Sequence, residues 1–362
     1  MSHRSRPGVR KGRGAGDNPA GRFETAAREA VDDGWGSLED PLPRLVTEAT
    51  AEAAKSILTR NNSPDIPFDR SINPYRGCEH GCVYCYARPA HAYVDLSPGL
   101  DFETRLFYKP QAAELLRKTL SAPGYRCAPI SLGANTDPYQ PIERRYRVTR
   151  SILEVLSQLE HPVTIITKGA ALIERDLDLL ASMAKRRLVS VAISLTTLDV
   201  DLKRTLEPRA AAPAARLKAI EALSHAGVPT AVMIAPVIPA LTDHELEKLL
   251  EAAARAGARQ AGYVVLRLPY EVEPLFERWL QDHAPLKADR VMARMREYHG
   301  GRSYDATFGI RQRGQGAHAT LLAARFARAC RRLGLNLDDG GKLDTSRFAA
   351  VQRAGDRQLP LI

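Results

Sequence analysis

Cys78, Cys82 and Cys85 place three of the chain's five cysteines within eight positions, spaced C-x3-C-x2-C. The other two, Cys127 and Cys330, stand far from them and from each other, so the set is not a disulfide framework and reads as a metal site. A tetrahedral structural zinc site takes four protein ligands. A [4Fe–4S] cube held by three thiolates keeps one iron for a further ligand. Three close cysteines therefore favour an open site, and a zinc loop completed by His80 or His91 is the alternative.

The elements that must carry such a loop show as a change of period along the chain. Short apolar runs at 128–135, 162–167, 188–195, 230–237 and 260–268 alternate with amphipathic stretches at 149–159, 171–185 and 213–226. Thr242 to Glu245 has the form of a capping box for the next helix. Strands alternating with helices imply parallel βαβ units. The expected fold is a partial (β/α)6 TIM-type barrel over residues 68–270, extended by an arginine-rich helical region over 271–338. Residues 1–40 are expected to be a disordered basic arm, 41–67 a helical segment centred on 44–59, and 339–362 a loose tail. In a parallel barrel the active face lies at the carboxyl ends of the strands. There the apolar runs close on polar groups: Asn135, Thr136 and Asp137, then Lys168, Ser194 and Arg267.

With 44% hydrophobic residues the chain is able to bury a sizeable core, and its formal net charge of +10 suits a polyanionic partner such as nucleic acid. Arginines accumulate beyond Pro269, among them Arg294, Arg311, Arg313 and Arg325, interleaved with Tyr298, Tyr304 and Phe308. That mixture suits phosphate contacts and base stacking, with a solvated helical face as the alternative for each arginine. No signal peptide and no bilayer-spanning run is expected, the longest candidate being interrupted by Pro236 and Pro239. The expected location is the cytoplasm, with no membrane partner.

The cysteine spacing with an aromatic residue before the last cysteine, here Tyr84, resembles the signature of the radical S-adenosylmethionine (SAM) enzymes. The resemblance implies a [4Fe–4S] cluster on Cys78, Cys82 and Cys85. It also implies reductive cleavage of SAM to a 5′-deoxyadenosyl radical for hydrogen abstraction, and an electron donor such as a flavodoxin or ferredoxin. It further implies Lys168 at the SAM carboxylate, Ser194 at the ribose, Tyr84 near the adenine, and Gly133, Ala134, Asn135 and Thr136 at the amino group. Segments 136–143, 207–209 and 239–245 narrow the likeness to the spore photoproduct lyase-like, DNA repair photolyase-related branch, which adds Tyr86 as a catalytic residue and nucleic acid as the substrate. One position departs from that branch. A hydrogen-returning cysteine is expected where Ala134 stands, and Cys127, about 23 Å away along an extended strand, does not replace it. The rival expectations are a metal-stabilised nucleic-acid-binding protein without catalysis, and a radical SAM maturation factor acting on a protein or small molecule.

Overall fold

Parallel pairing of the apolar runs is what the computed structural model displays; it describes residues 9–24, 45–337 and 342–348. In chain order the first elements are β1 (Glu48–Ala51), β2 (Leu58–Arg60), β3 (Arg70–Ile72), β4 (Tyr75–Arg76), a 3-10 helix (Arg88–Val94), α1 (Asp101–Thr104), β5 (Arg105–Tyr108) and α2 (Ala112–Leu120). Then come β6 (Ile130–Leu132), α3 (Glu143–Tyr146), α4 (Val148–Gln158), β7 (Val163–Thr167), α5 (Ala171–Arg175), α6 (Leu177–Lys185), β8 (Val189–Ser194), α7 (Val200–Leu206), α8 (Pro213–His225) and β9 (Thr230–Val237). The chain continues through a 3-10 turn (Asp243–Glu245), α9 (Leu246–Arg255), β10 (Gln260–Val265), α10 (Val272–His283), α11 (Pro285–Tyr298) and α12 (Gly316–Leu333).

Seven strands form one sheet in the order β10-β9-β8-β7-β6-β3-β2. Six of them run parallel, and β2 pairs antiparallel with β3 at one edge. This is the partial barrel of six βα units that the sequence pattern implies. Along β7 the buried Val163, Ile165 and Thr167 alternate with half-buried residues, the period-two pattern of a strand between two layers. The helices that cover the sheet present apolar stripes; on α4 these are Val148, Ile152, Val155 and Leu156, all buried. Helix α8 starts with Pro213 at its first turn and ends before Gly227, whose φ of +75° suits the residue that breaks a helix.

Four local expectations are corrected. The helix expected over 44–59 is absent from the described part of that span: β1 pairs in parallel with β5, and β2 antiparallel with β3, so tertiary pairing overrides an alanine-rich propensity. The capping box is not formed either. The Thr242 hydroxyl accepts from the Ile238 amide at 2.9 Å, and Glu245 accepts from the Thr197 hydroxyl at 2.5 Å. Of the expected tail, 342–348 is packed, with Phe348 against the rings of Tyr125 and His161 and Asp344 paired with Arg187; its other residues lie outside the described ones.

The fourth correction concerns the basic arm. Residues 1–8 and 25–40 lie outside the described ones, but 9–24 form a strap laid along the barrel mouth. Glu103 accepts from the amides of Gly14 (3.0 Å) and Ala15 (2.8 Å), and Arg13 donates to the Glu103 carbonyl at 3.0 Å. Asn18 exchanges two 2.9 Å hydrogen bonds with Asp101, and Asp17 pairs with Arg278 on α10. The Glu103 side chain is wholly buried against Arg88, at 2.5 Å. Removing one member of such a pair leaves a buried charge without its partner, so Glu103→Ala should cost on the order of 3–5 kcal/mol in equilibrium urea unfolding. It should also open residues 9–24 to protease; a loss under about 1 kcal/mol would refute the anchoring role of this carboxylate.

Candidate active site

The cysteine loop leaves β4 and turns on two glycines with positive φ, Gly77 (+75°) and Gly81 (+68°). A Cβ at Gly77 would fall 2.9 Å from the Phe102 carbonyl oxygen, and one at Gly81 would fall 2.6 Å from Glu103 Oε2. Both positions therefore need glycine for conformation and for space. The loop backbone is held from several sides. Cys78 donates its amide to the Phe102 carbonyl at 2.9 Å, and Val83 to that of Leu206 at 3.2 Å. Gln140 accepts from the Glu79 amide at 2.8 Å and donates to the Gly77 carbonyl at 3.1 Å. The buried Arg88 guanidinium donates to the carbonyls of Cys82 (2.9 Å), Pro98 (3.0 Å) and Gly99 (2.8 Å).

On this frame Cys78 and Cys82 are buried, Cys85 is half-buried, and all three are free thiols. Burial pushes each thiol above its ordinary range; Asp137 adds to this at Cys78, Glu207 adds to it at Cys82, and Lys168 opposes it at Cys82 and Cys85. Among the described residues no three His, Cys, Asp or Glu side chains converge as a site for one ion. The two histidines of the zinc alternative have other partners. His80 Nδ1 lies 3.3 Å from Asp137 Oδ2, and His91 Nε2 lies 2.9 Å from the Arg105 carbonyl. Three soft sulfur donors on one loop, each able to take its own iron, fit a polynuclear iron–sulfur group.

Beside the loop sits a carboxylate that sequence reasoning had not placed in the site. Glu207 has 0% of its surface exposed. It accepts from Tyr84 Oη, from Thr196 Oγ1 at 2.7 Å and from Arg216, and lies 3.9 Å from Lys168 Nζ. Burial alone would raise its pKa, but Arg216, Lys168 and the Tyr84 hydroxyl bring it down to about 2. Lys168 Nζ also donates to the Ala235 carbonyl at 3.1 Å and stands 5.9 Å from the Tyr84 ring centre. Two cations thus share one buried carboxylate. The signal for this pair was present in the sequence: Arg216 occupies the stripe of Pro213, Ala219, Ile220 and Leu223 on α8, where a lone arginine calls for a buried partner.

The strand-end residues divide by role. Asp137 accepts from the Thr167 hydroxyl (2.6 Å) and the Lys168 amide (2.7 Å), so it fixes the turn that aims Lys168. The Thr136 hydroxyl is spent on the Tyr75 carbonyl at 3.0 Å, and Asn73 Oδ1 accepts from the amides of Asn135 (2.9 Å) and Thr136 (3.3 Å). Gly133, with φ +93°, lets β6 pass the Ile166 carbonyl, which a Cβ would approach to 2.3 Å. Ser194 ends β8, buried, and its carbonyl accepts from Arg216 at 3.0 Å. Tyr86 is the outlier of the loop, 43% exposed, with its hydroxyl donated to the Ala134 carbonyl and the Arg267 guanidinium 4.7 Å from its ring centre. Several C-terminal arginines serve the fold: Arg325 pairs with Glu247, Arg311 with Asp65, and Arg313 lies over Tyr263.

The chain is similar to known proteins. The model of the radical SAM superfamily matches residues 72–253. An uncharacterized protein of Mycobacterium tuberculosis is 41% identical over 240 residues, 66% of this chain and 69% of the relative. One of Methanocaldococcus jannaschii is 27% identical over 174 residues, 48% and 62% of the two chains. Among solved structures, spore photoproduct lyase complexed with dinucleoside spore photoproduct aligns with a TM-score of 0.57 at 14% identity, covering 79% of this chain and 80% of that one. A variant of the lyase with bound AdoMet and the same dinucleoside aligns with a TM-score of 0.53, also at 14% identity and with the same coverage. At these identities the lyases share the fold with this chain.

The Asp137 carboxylate gives a test of the turn. Burial would raise its pKa, but His80 and the Thr167 and Lys168 donors hold it at about 2, against an unfolded value of about 3.9. A depressed carboxylate stabilises the fold above its unfolded pKa, and that contribution is lost as pH falls through its folded pKa. Asp137→Asn should therefore be less stable than wild type at pH 6 by on the order of 2 kcal/mol, with the gap closing between about pH 4 and pH 2. Thermal melts across that range check it; a gap that does not change with pH would mean that the carboxylate's charge plays no part.

Proposed function

We propose that this chain, which belongs to the radical SAM superfamily and is a radical SAM enzyme, holds its cluster on Cys78, Cys82 and Cys85 and acts on nucleic acid at the open end of the barrel. The observation that carries the reading is the placement of three free thiols on one glycine-turned loop, beside Lys168, at the carboxyl ends of six parallel strands. The family implies a [4Fe–4S] cluster and SAM, which together supply a reductively generated 5′-deoxyadenosyl radical for hydrogen abstraction.

The residues of this chain bind and orient. Lys168, already tethered to the Ala235 carbonyl and near Glu207, offers its ammonium to the SAM carboxylate. The carboxylate would balance the second of the two cations that now share Glu207. The segment Gly133, Ala134, Asn135 and Thr136 lines the amino-group side through its backbone, because the Thr136 hydroxyl is already engaged. Ser194 would serve the ribose, and Tyr84, fixed by its bond to Glu207, would serve the adenine.

Tyr86 is proposed as the catalytic residue of the substrate side. Its hydroxyl reaches the carbonyl of Ala134, the position where the resemblance to spore photoproduct lyases expects a hydrogen-returning cysteine. With no thiol there, repair by that lyase's route is not the reaction proposed. Exposed Tyr86, with Arg267 over its ring, is the aromatic–arginine pair that would stack a base and contact a phosphate, and exposed Phe308 offers a second ring for stacking.

Anaerobic reconstitution with iron and sulfide, followed by SAM and dithionite, should give 5′-deoxyadenosine from wild type and none from Cys82→Ala. Zinc in the purified protein, with no cluster and no deoxyadenosine, would refute the assignment. The substrate class is read separately: affinity for a single-stranded oligonucleotide should fall steeply with salt and drop about tenfold in Arg267→Glu. Salt-independent or absent binding would turn the substrate towards a protein or small molecule.

A further inference from the structure

Exposed aromatic rings gather at one place on the rim of the barrel. Among the described residues five phenylalanines and tyrosines are exposed, and four of them, Phe23, Tyr86, Tyr93 and Tyr270, fall on neighbouring segments. Single exposed rings are ordinary, whereas a group of them marks a contact surface. Arg22 stands at the centre of the outer three. Its guanidinium carbon lies 5.1 Å from the ring centre of Phe23, 5.3 Å from that of Tyr93 and 4.3 Å from that of Tyr270. Phe23 and Tyr93 are themselves 5.2 Å apart, centre to centre, and the three rings are from 53% to 70% exposed.

Three separate parts of the chain deliver these rings: Phe23 comes from the strap, Tyr93 from the 3-10 helix after the cysteine loop, and Tyr270 from the connection between β10 and α10. Arg22 is pinned among them, its amide donating to Glu271 Oε1 at 3.0 Å and its Nη2 to the Pro89 carbonyl at 3.2 Å. Tyr270 has a φ of +52°, a left-handed conformation that is costly for a bulky residue, yet the ring it carries is exposed and not packed in the core. The inner pair of Tyr86 and Arg267 rides on the same two segments as the outer tyrosines. Tyr86 precedes the 3-10 helix that bears Tyr93, and Arg267 stands three residues before Tyr270, within about 11 Å of it along the chain. The outer rings therefore continue the mouth along its rim.

With nucleic acid as the substrate proposed above, on which this step rests, we propose that Phe23, Tyr93 and Tyr270 form a second stacking site, which takes the bases flanking the reacting nucleotide of a single strand. A nucleotide held at Tyr86 within a polymer brings its neighbours with it, and they lie across the rim where these rings stand. Exposed rings stack only on bases that are themselves unstacked, so a single strand fits and a closed duplex does not. Such stacking tolerates any sequence, because every base has a π-face. Arg22 holds the rings apart and adds a positive charge beside them, in a chain whose net charge of +10 attracts a polyanion.

The test measures the affinity of the full chain for a dinucleotide, for a single strand of about twelve nucleotides and for the duplex of the same sequence. Tyr93→Ala and Tyr270→Asn each remove one ring; both rings are exposed, and asparagine suits the left-handed backbone at 270, so neither change should disturb the fold. Each variant should bind the longer strand about tenfold more weakly than wild type and the dinucleotide equally, because only the longer strand reaches the outer rings. Tyr93→Phe should bind as wild type, since the ring and not the hydroxyl stacks. The ring variants should leave the salt dependence of binding unchanged, whereas Arg267→Glu should weaken binding at both lengths and lessen that dependence. Wild-type affinity for the longer strand in both ring variants, with Arg267→Glu still weakened, would overturn the outer site and leave nucleic acid as the substrate. Equal loss at both lengths, or tighter binding of the duplex than of the strand, would overturn it as well. Failure of wild type to bind any of the three would instead sink nucleic acid as the substrate, and the outer site with it.

Discussion

The ion pair between Arg88 and Glu103 is the constraint on which the mouth of the barrel depends. Both side chains are without solvent exposure, and two charges taken out of water cost several kcal/mol each unless geometry and further hydrogen bonds offset it. Here the offset is nearly complete. The guanidinium is shared among carbonyls of the cysteine loop and of the Pro98–Gly99 turn, and the carboxylate takes two amides from the strap. One buried pair thus binds three segments that are distant in sequence, and the loop carrying the thiols lies in the middle. Gly81 of that loop follows from the same constraint, since there the Glu103 carboxylate occupies the space of a side chain.

A second buried centre, around Glu207, orders the other flank. Its carboxylate fixes Tyr84 and Thr196 while drawing in Arg216 and Lys168. Arg216 is fully enclosed and structural; Lys168 is less enclosed and has only a 3.9 Å approach to the carboxylate. The arrangement leaves one cation better neutralised than the other. Such an imbalance in a low-dielectric setting favours an incoming anion at the lysine.

What could be read from the sequence follows the range of the forces involved. The thiols and the parallel strands were legible because spacing and hydrophobic period are local, and 230–237 is a strand to the residue. The strands near Glu48 and Leu58 were not, because their partners begin at Arg105 and Arg70 and their own composition favours helix. Thr242 and Glu245 matched a local motif and were claimed by tertiary partners instead. In the site, Cys78, Cys82, Cys85 and Lys168 stood out by type and place. Glu207, Arg88 and Glu103 did not, since a buried charge is recognisable only once its partner is known, and only Arg216 betrayed itself by interrupting an apolar stripe.

The strap is made before anything it rests on. Residues 9–24 leave the ribosome before their anchors, Asp101, Glu103 and, on α10, Arg278. During synthesis the cysteine loop must therefore exist for a time with its outer side uncovered, and closure waits for α1 and then for α10.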